Sequence, residues 1–285
     1  MTIAFTGATG HLGQLVADAL LTREEAGNIV ALARDPQKAS DLAAKGIQVR
    51  AFDYAQPDGL AAALDGVDRL LLISGTEFGQ RVAQHQAVID AATQAGVGFL
   101  AYTSFLHADD APLIAVAPEH VETEKLLADA PFPVALLRNG WYTENYEDAA
   151  RQAAESGVLL GATGGGRISS AARRDYADAA AAVLTGDPTA ATYELAGDRS
   201  WSLDDLAAAI TTASGTPVQA KDVSADELRT ALTGAGLPAP LIDFLVGTDQ
   251  AIAAGELEDP NPGELSRLIG RPTTPLSETV AGWFA

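Results

Sequence analysis

Residues 6–13 read T-G-A-T-G-H-L-G, which sets Gly7, Gly10 and Gly13 in a G-x-x-G-x-x-G pattern. The pattern follows a β-rich apolar run, Thr2–Thr6, and leads at once into His11–Leu21, where apolar residues recur at helical spacing. In that context each glycine has a task. Gly7 permits a tight turn, Gly10 lets the backbone approach a pyrophosphate, and Gly13 lets the helix pack close on the strand. The helix N-terminus then offers unpaired N–H groups and the positive end of its dipole to phosphates. Dinucleotide binding is the chemistry implied, through Gly7, Ala8, Thr9, Gly10, His11, Leu12 and Gly13. A plain glycine turn in an α/β domain is the alternative, and the His11 side chain reads as neutral loop filler.

The second apolar run, Asn28–Ala33, ends in Arg34 rather than in the Asp or Glu that bonds a ribose 2′-hydroxyl. A guanidinium stacks on adenine and bonds a 2′-phosphate, and Lys38 lies one helical turn further on, so NADPH is expected over NADH. Asp35 is placed to contact a hydroxyl instead, and Arg34 can equally be a solvated surface residue. Asp53, after the third strand, is expected at the adenine edge or as a turn residue. Ser74, Gly75 and Thr76 end the fourth strand, where a doubly wound sheet exposes its ligand crevice.

Candidate proton chemistry lies on the helix after the fifth strand. It carries His120-Val-Glu-Thr-Glu124, a spacing that sets both side chains on one helix face. His120 can act as a proton donor, with Glu124 raising its pKa. It can equally fix the helix to a ribose, or be a surface His–Glu pair. Thr103 and Ser104 follow the fifth strand and can orient a substrate oxygen or simply form a strand-end turn. After the sixth strand comes Asn139-Gly-Trp-Tyr-Thr-Glu-Asn145. Trp141 and Tyr142 can wall a flat aromatic substrate by stacking, and Asn139 can bond a carboxamide or a substrate oxygen. Core packing is the competing reading for Trp141. Phe105 and His107, on the loop after the fifth strand, are expected to line the same pocket.

The elements that must position these residues alternate. Strand-like runs at Ile47–Phe52, Arg69–Ile73, Gly98–Tyr102 and Val134–Leu137 are interleaved with helical segments at Pro36–Lys45, Leu60–Leu64, Gln80–Ala95 and Glu119–Ala128. The fold expected is α/β, a Rossmann doubly wound parallel sheet, with near-continuously apolar strands covered on both faces. After Asn139 the rhythm changes to a glycine-rich turn at Gly161–Gly166, a helix at Asp175–Leu184, a strand at Thr192–Leu195 and a mostly helical remainder. A dinucleotide-binding domain is therefore expected over 1–140. A smaller substrate-binding lobe over 141–285 would return some segments to the core.

Composition removes several classes. With 18 basic and 38 acidic residues the net charge is −20, which repels phosphate backbones and anionic lipid and argues against nucleic-acid and membrane partners. No apolar run approaches the length of a membrane helix, and no basic n-region opens the chain. Cysteine is absent, which excludes thiol catalysis and disulfides and fits a reducing cytoplasm. Four histidines without close ligand spacing argue against a metal site, and neither a G-x-S-x-G elbow nor a Walker lysine occurs.

Taken in order, TGATGHLG, ARDPQKA, LLLISG, QHQAVIDAA, AYTSFLHAD, EHVETEKLL, LLRNGWYTENY, YELAGDRSW and LIGRPTTPL resemble the NmrA-like atypical short-chain dehydrogenases. Within that family the resemblance is greatest to quinone reductases, with triphenylmethane dye reductases next. The resemblance implies NADPH bound through Gly7–Leu12, Arg34, Ser74–Thr76, the segment Asn139–Asn145 (Trp141 and Tyr142 included) and Arg173. It also implies flavin-independent, two-electron reduction of a small quinone or aromatic substrate. Most short-chain dehydrogenases use Tyr-x-x-x-Lys where this chain has His120 and Glu124, and Lys125 is one residue out of register. That departure keeps a non-catalytic, NADP-binding redox sensor in play. A homodimer is common among related folds, but nothing in the sequence marks an interface.

Overall fold

The computed structural model describes residues 1–285. In chain order the elements are β1 (Ile3–Phe5), α1 (His11–Leu21), β2 (Ile29–Ala33), α2 (Ser40–Ala44), β3 (Gln48–Ala51), α3 (Leu60–Ala63), β4 (Arg69–Leu72), α4 (Arg81–Ala95), β5 (Phe99–Phe105), α5 (Ala117–Ala128), β6 (Val134–Asn139), α6 (Glu147–Ser156), β7 (Val158–Gly161), α7 (Arg173–Thr185), β8 (Ala191–Leu195), α8 (Leu203–Ser214), β9 (Gln219–Asp222), α9 (Ala225–Gly234), α10 (Ala239–Ala253), α11 (Glu264–Ile269) and α12 (Leu276–Trp283). They group into two compact units. The first comprises Met1–Ala108, Pro118–Asn139 and Arg173–Glu194; the second comprises Asp109–Ala117, Gly140–Ala172 and Leu195–Ala285. The division is thus not a single point near residue 140, because the chain crosses between units several times.

Seven strands form one sheet in the order β3-β2-β1-β4-β5-β6-β8, and the pairings from β3 through β6 are parallel. The chain runs outward from β1 through β2 and β3 on one side, then restarts beside β1 with β4. Strands β1, β2 and β5 are buried along their whole length, as continuous apolar runs covered on both faces require. Fully buried side chains such as Ile3, Phe5, Val30 and Leu71 each contribute about 1.5–3 kcal/mol. The edge strand β3 reads Gln-Val-Arg-Ala and is partly exposed, which blunts an open edge. β5 reaches Phe105, beyond the expected end at Tyr102, because β6 also runs on and supplies partners for Ser104 and Phe105. Thr103, Ser104 and Phe105 are therefore strand residues, not part of a following loop.

The second unit contains a two-stranded parallel sheet, β7 with β9, that sequence periodicity does not reveal. Gln-Ala-Lys-Asp in β9 carries no apolar pattern, and its partner lies some sixty residues away. Helices α8 and α9 open with capping boxes, Ser202 with Asp205 and Ser224 with Glu227. The glycine-rich turn after β7 is held by carboxylates of its own unit. Asp249 accepts from Ala162 N at 2.7 Å, and Asp222 accepts from Thr163 N at 2.7 Å and Gly165 N at 2.9 Å. Those amides are committed, so this turn is not a second phosphate loop. No helix is long and apolar enough to cross a membrane.

Helix α7 returns to the first unit and packs against α1. Its buried face is mainly alanine (Ala177, Ala179, Ala180, Ala181) around Tyr176, which lets the helices approach closely. Arg69 on β4 fixes its far end, donating from Nη1 to the carbonyls of Leu184 at 2.7 Å and Gly186 at 2.5 Å. A cation there serves both the unpaired carbonyls and the negative end of the helix dipole. Arg69→Met should lower the unfolding free energy by about 2 kcal/mol in denaturant titration, the usual worth of a charged hydrogen bond. A loss below about 0.5 kcal/mol would mean the cap is dispensable.

Candidate dinucleotide site

The turn from β1 to α1 is set by backbone contact. Gly7 sits at φ +62°, and Gly10 N donates to Gly7 O at 2.9 Å. A Cβ on Gly13 would lie 2.2 Å from Gly7 O and 2.9 Å from Ala8 Cα, so only hydrogen fits there. Gly10 is the N-cap of α1 and no side chain caps this terminus, leaving first-turn amides for an anion. Ala8 and Leu12 point into the core, so any ligand contact they make is through the backbone. His11 opens the helix at the surface. Gly7, Thr9 and Gly10 line a cleft of about 360 Å³ that continues past Arg34 and Asp53 to Ser74, Gly75 and Thr76. It lies at the carboxyl ends of β1, β2 and β4, where the strand order reverses, the place ligands occupy in open α/β sheets.

At the far end of this cleft the Arg34 guanidinium meets Glu77, with Nη1 3.2 Å from Oε1. Gln84 of α4 holds the other carboxylate oxygen at 2.8 Å. Asp35 is occupied as a cap, accepting from Gln37 N at 3.1 Å at the start of the short turn that carries Lys38. Lys38 is exposed and does not line the cleft. Asp53 lines it, but its oxygens accept from Ala55 N at 3.1 Å and Gln56 Nε2 at 3.0 Å.

The loop after β4 is braced from behind by residues no motif announces. Gly75 N donates to His85 Nε2 at 2.9 Å, and His85 Nδ1 lies 3.0 Å from Thr123 Oγ1. The Thr123 hydroxyl donates to Glu119 O at 2.8 Å, so this network assigns the His85 proton to Nδ1. Arg81 donates to Gly75 O at 2.7 Å and pairs with Glu119 at 2.9 Å, while Glu119 also accepts from Gly79 N at 2.9 Å. Ser74 N donates to Thr103 Oγ1 at 2.8 Å. The only sequence sign is polar residues on α4 that its packing against the sheet leaves buried.

His120 is buried, and its Nδ1 lies 2.7 Å from the Tyr102 hydroxyl. The expected pairing with Glu124 does not form. Glu124 instead receives two hydrogen bonds from Arg138, at 2.6 and 3.0 Å, and one from the Ser104 hydroxyl. Arg138 also reaches Glu194 at 2.9 Å. Nothing therefore raises the His120 pKa. Burial, helped by Arg81 and His85, lowers it to about 3, and burial with Arg81 does the same to His85. Both rings are neutral at pH 7. Phe105 packs 6.3 Å from the His120 ring, and Asn139 ends β6 with its carbonyl accepting from Leu106 N at 3.0 Å.

In the second unit the Trp141 ring lies 6.0 Å from Phe244 of α10, a partner sequence reading missed because the helix face offered no motif. Tyr142 pairs with Ala171 in an isolated bridge, and Asn145 sits exposed in the following turn. Arg173 is the first residue of α7. No group of three His, Asp or Glu side chains stands close enough together to hold a metal ion.

A family model described as NAD(P)H-binding matches residues 7–187, and the chain belongs to that family. Among individual proteins it is 50% identical to quinone oxidoreductase 2 of Escherichia coli, over 99% of this chain and 98% of that one. The crystal structure of the E. coli NADPH-dependent quinone oxidoreductase complexed with NADPH superposes with a TM-score of 0.95 at 49% identity, covering 100% of both chains. Triphenylmethane reductase of Citrobacter sp., solved with NADP(H), superposes with a TM-score of 0.94 at 38% identity, covering 99% and 100%.

Gly13→Ala should cost about 3 kcal/mol in denaturant titration, since backbone must move to admit the methyl group. Gly27→Ala, with open space around it, should change stability by less than about 0.5 kcal/mol. The histidines predict a pH effect of definite sign. Their folded pKa values lie below the unfolded value, so the unfolded chain binds more protons between pH 6.5 and about 3. Their contribution to stability is complete above pH 6.5 and is lost as pH falls. Each should add up to about 1.4 kcal/mol per pH unit to the slope near pH 5, and His85→Gln should remove roughly half of the histidine share.

Proposed function

We infer that this protein is an NADPH-dependent oxidoreductase that reduces quinones by two electrons. The full-length similarity to a quinone oxidoreductase carries that reading, and the cleft suits the cofactor. A glycine turn closed tightly at Gly13, where a Cβ has no room, leaves backbone open to a pyrophosphate, an uncapped helix terminus lies beside it, and Arg34 stands where NAD enzymes keep a carboxylate. NADPH, when bound, supplies the hydride. In this reading the backbone from Gly7 to Gly13 holds the pyrophosphate, Arg34 the 2′-phosphate, and Ser74, Gly75 and Thr76 the middle of the cofactor. Asn139, Trp141, Tyr142, Asn145 and Arg173 are assigned to cofactor or substrate by resemblance. The absence of cysteine fits a reducing cytoplasm.

The reading gives His120 a role different from an acid. In this reading the Tyr102 hydroxyl, 2.7 Å from Nδ1, is assigned as the donor, which puts the ring proton on Nε2 and gives a neutral hydrogen bond there. A quinone is electron-poor, and its reduction yields an anion stabilised by aromaticity, so a strong acid, often worth about a hundredfold or more, is not required. Ser104 is tied to Glu124 and is a positioning residue in this scheme. What the site must supply is a flat acceptor held at near-attack distance.

The test follows NADPH oxidation by purified protein with benzoquinones, naphthoquinones and a triphenylmethane dye, with NADH alongside. Repeated turnover on quinones with NADPH preferred is expected. Turnover confined to the dye would move the assignment to the activity of the Citrobacter relative, and NADPH binding without turnover would leave a sensor. His120→Ala should lower kcat by about tenfold, the worth of one hydrogen bond. A loss above a thousandfold would sink the neutral-donor role. Arg34→Ala should raise KM for NADPH at least about tenfold and leave NADH nearly unchanged.

A further inference from the structure

We propose that Glu77 is a specificity-determining residue that opposes the 2′-phosphate of the cofactor at Arg34, holding the preference for NADPH below what Arg34 alone would give. The inference rests on the NADPH reading of the same cleft. Arg34 has one hydrogen-bond partner in the structure, the Glu77 carboxylate at 3.2 Å. That carboxylate does not hang freely in solvent. Gln84 fixes its second oxygen at 2.8 Å from α4, and the loop carrying it is pinned on either side, through Gly75 to His85 and Arg81 and through Gly79 to Glu119.

The charge balance at this end of the cleft follows. Arg34, Glu77, Asp53 and Gln84 line it and Lys38 does not. One cation faces two carboxylates, so an arriving 2′-phosphate, itself close to dianionic, meets side chains summing to −1. Asp53 is already occupied by its own turn, which leaves Glu77 as the carboxylate in direct competition for the guanidinium. A ribose 2′-hydroxyl meets the opposite situation, because it can donate to Glu77 as it donates to the strand-end Asp or Glu of an NAD enzyme. The same carboxylate therefore penalises NADPH and assists NADH. Arg34 and Glu77 are both largely exposed, with side chains 74% and 51% accessible, so solvent and salt screen the effect and keep it moderate.

Calorimetric titration with adenosine 2′,5′-bisphosphate and with 5′-AMP isolates this end of the cofactor from turnover. Glu77→Gln keeps the shape and the contact with Gln84 while removing the charge. It should tighten the bisphosphate about fivefold and leave 5′-AMP unchanged or slightly weaker, with the gain shrinking as salt is raised. Glu77→Ala should move the ratio in the same direction, which separates lost charge from a rearranged loop. A ratio within twofold of the parent in both variants, or a weakened bisphosphate, would overturn the proposal, the latter by showing that Glu77 supports the binding pose of Arg34. A parent protein that binds neither nucleotide removes the cofactor reading and this inference together. A parent that binds the bisphosphate with an unmoved ratio in the variants removes the inference alone.

Discussion

A methyl group cannot be placed on residue 13, and much of the first unit follows from that. The carbonyl of Gly7 occupies the space where the Cβ would lie. This close approach seats α1 on β1 directly, without a layer of side chains between the turn and the helix start. The same approach leaves the first-turn amides of α1 at the carboxyl edge of the sheet, where the strand order reverses. Alanine-rich α7 packs beside α1 and against the sheet, and its own end is held by Arg69. The helix seated by this steric constraint is thus also the one against which a late segment of the chain packs in the first unit.

A second constraint is electrostatic. Two histidines and a tyrosine (His85, His120, Tyr102) form a buried aromatic row, with ring centroids 5.3 and 5.8 Å apart, beside the Arg81–Glu119 pair. Burial of that kind favours neutral rings and demands partners for each polar atom. The partners are the loop amide of Gly75, the hydroxyl of Thr123 and the Tyr102–His120 contact. The cleft wall from Ser74 to Gly79 is in this way part of the packed interior, although its outer surface faces solvent. The chemistry available follows: a buried neutral imidazole is a poor proton source. Such an environment suits an acceptor whose reduced form is a stabilised anion better than an unactivated carbonyl.

Charge at the cleft mouth shows how a local motif is modified by its surroundings. Arginine just after β2 suggests a phosphate partner, yet a carboxylate from the loop after β4 meets it at the cleft. The two residues are 43 positions apart, and neither informs the other in sequence. His120 and Glu124 make the reverse case. They share a helix face at the spacing of an interacting pair, and the structure separates them because Arg138 offers Glu124 a bidentate partner that an imidazole cannot match.

The sequence by itself determined the strand–helix alternation of residues 2–139, the glycine turn before α1, the place of Arg34 and the family, because each rests on patterns within a few residues of one another. Periodicity of two or 3.6 residues and the steric demand for glycine act locally and leave a direct imprint. Only the tertiary structure decided which polar residues meet. The brace of His85, Arg81, Glu119 and Thr123, the capture of Glu124 and Ser104 by Arg138, the β7–β9 sheet and the Phe244 neighbour of Trp141 all join segments far apart in the chain. Side-chain hydrogen bonds reach about 3 Å in space and take no account of separation along the backbone, so their partners become visible only when the sheet has fixed the order of its strands.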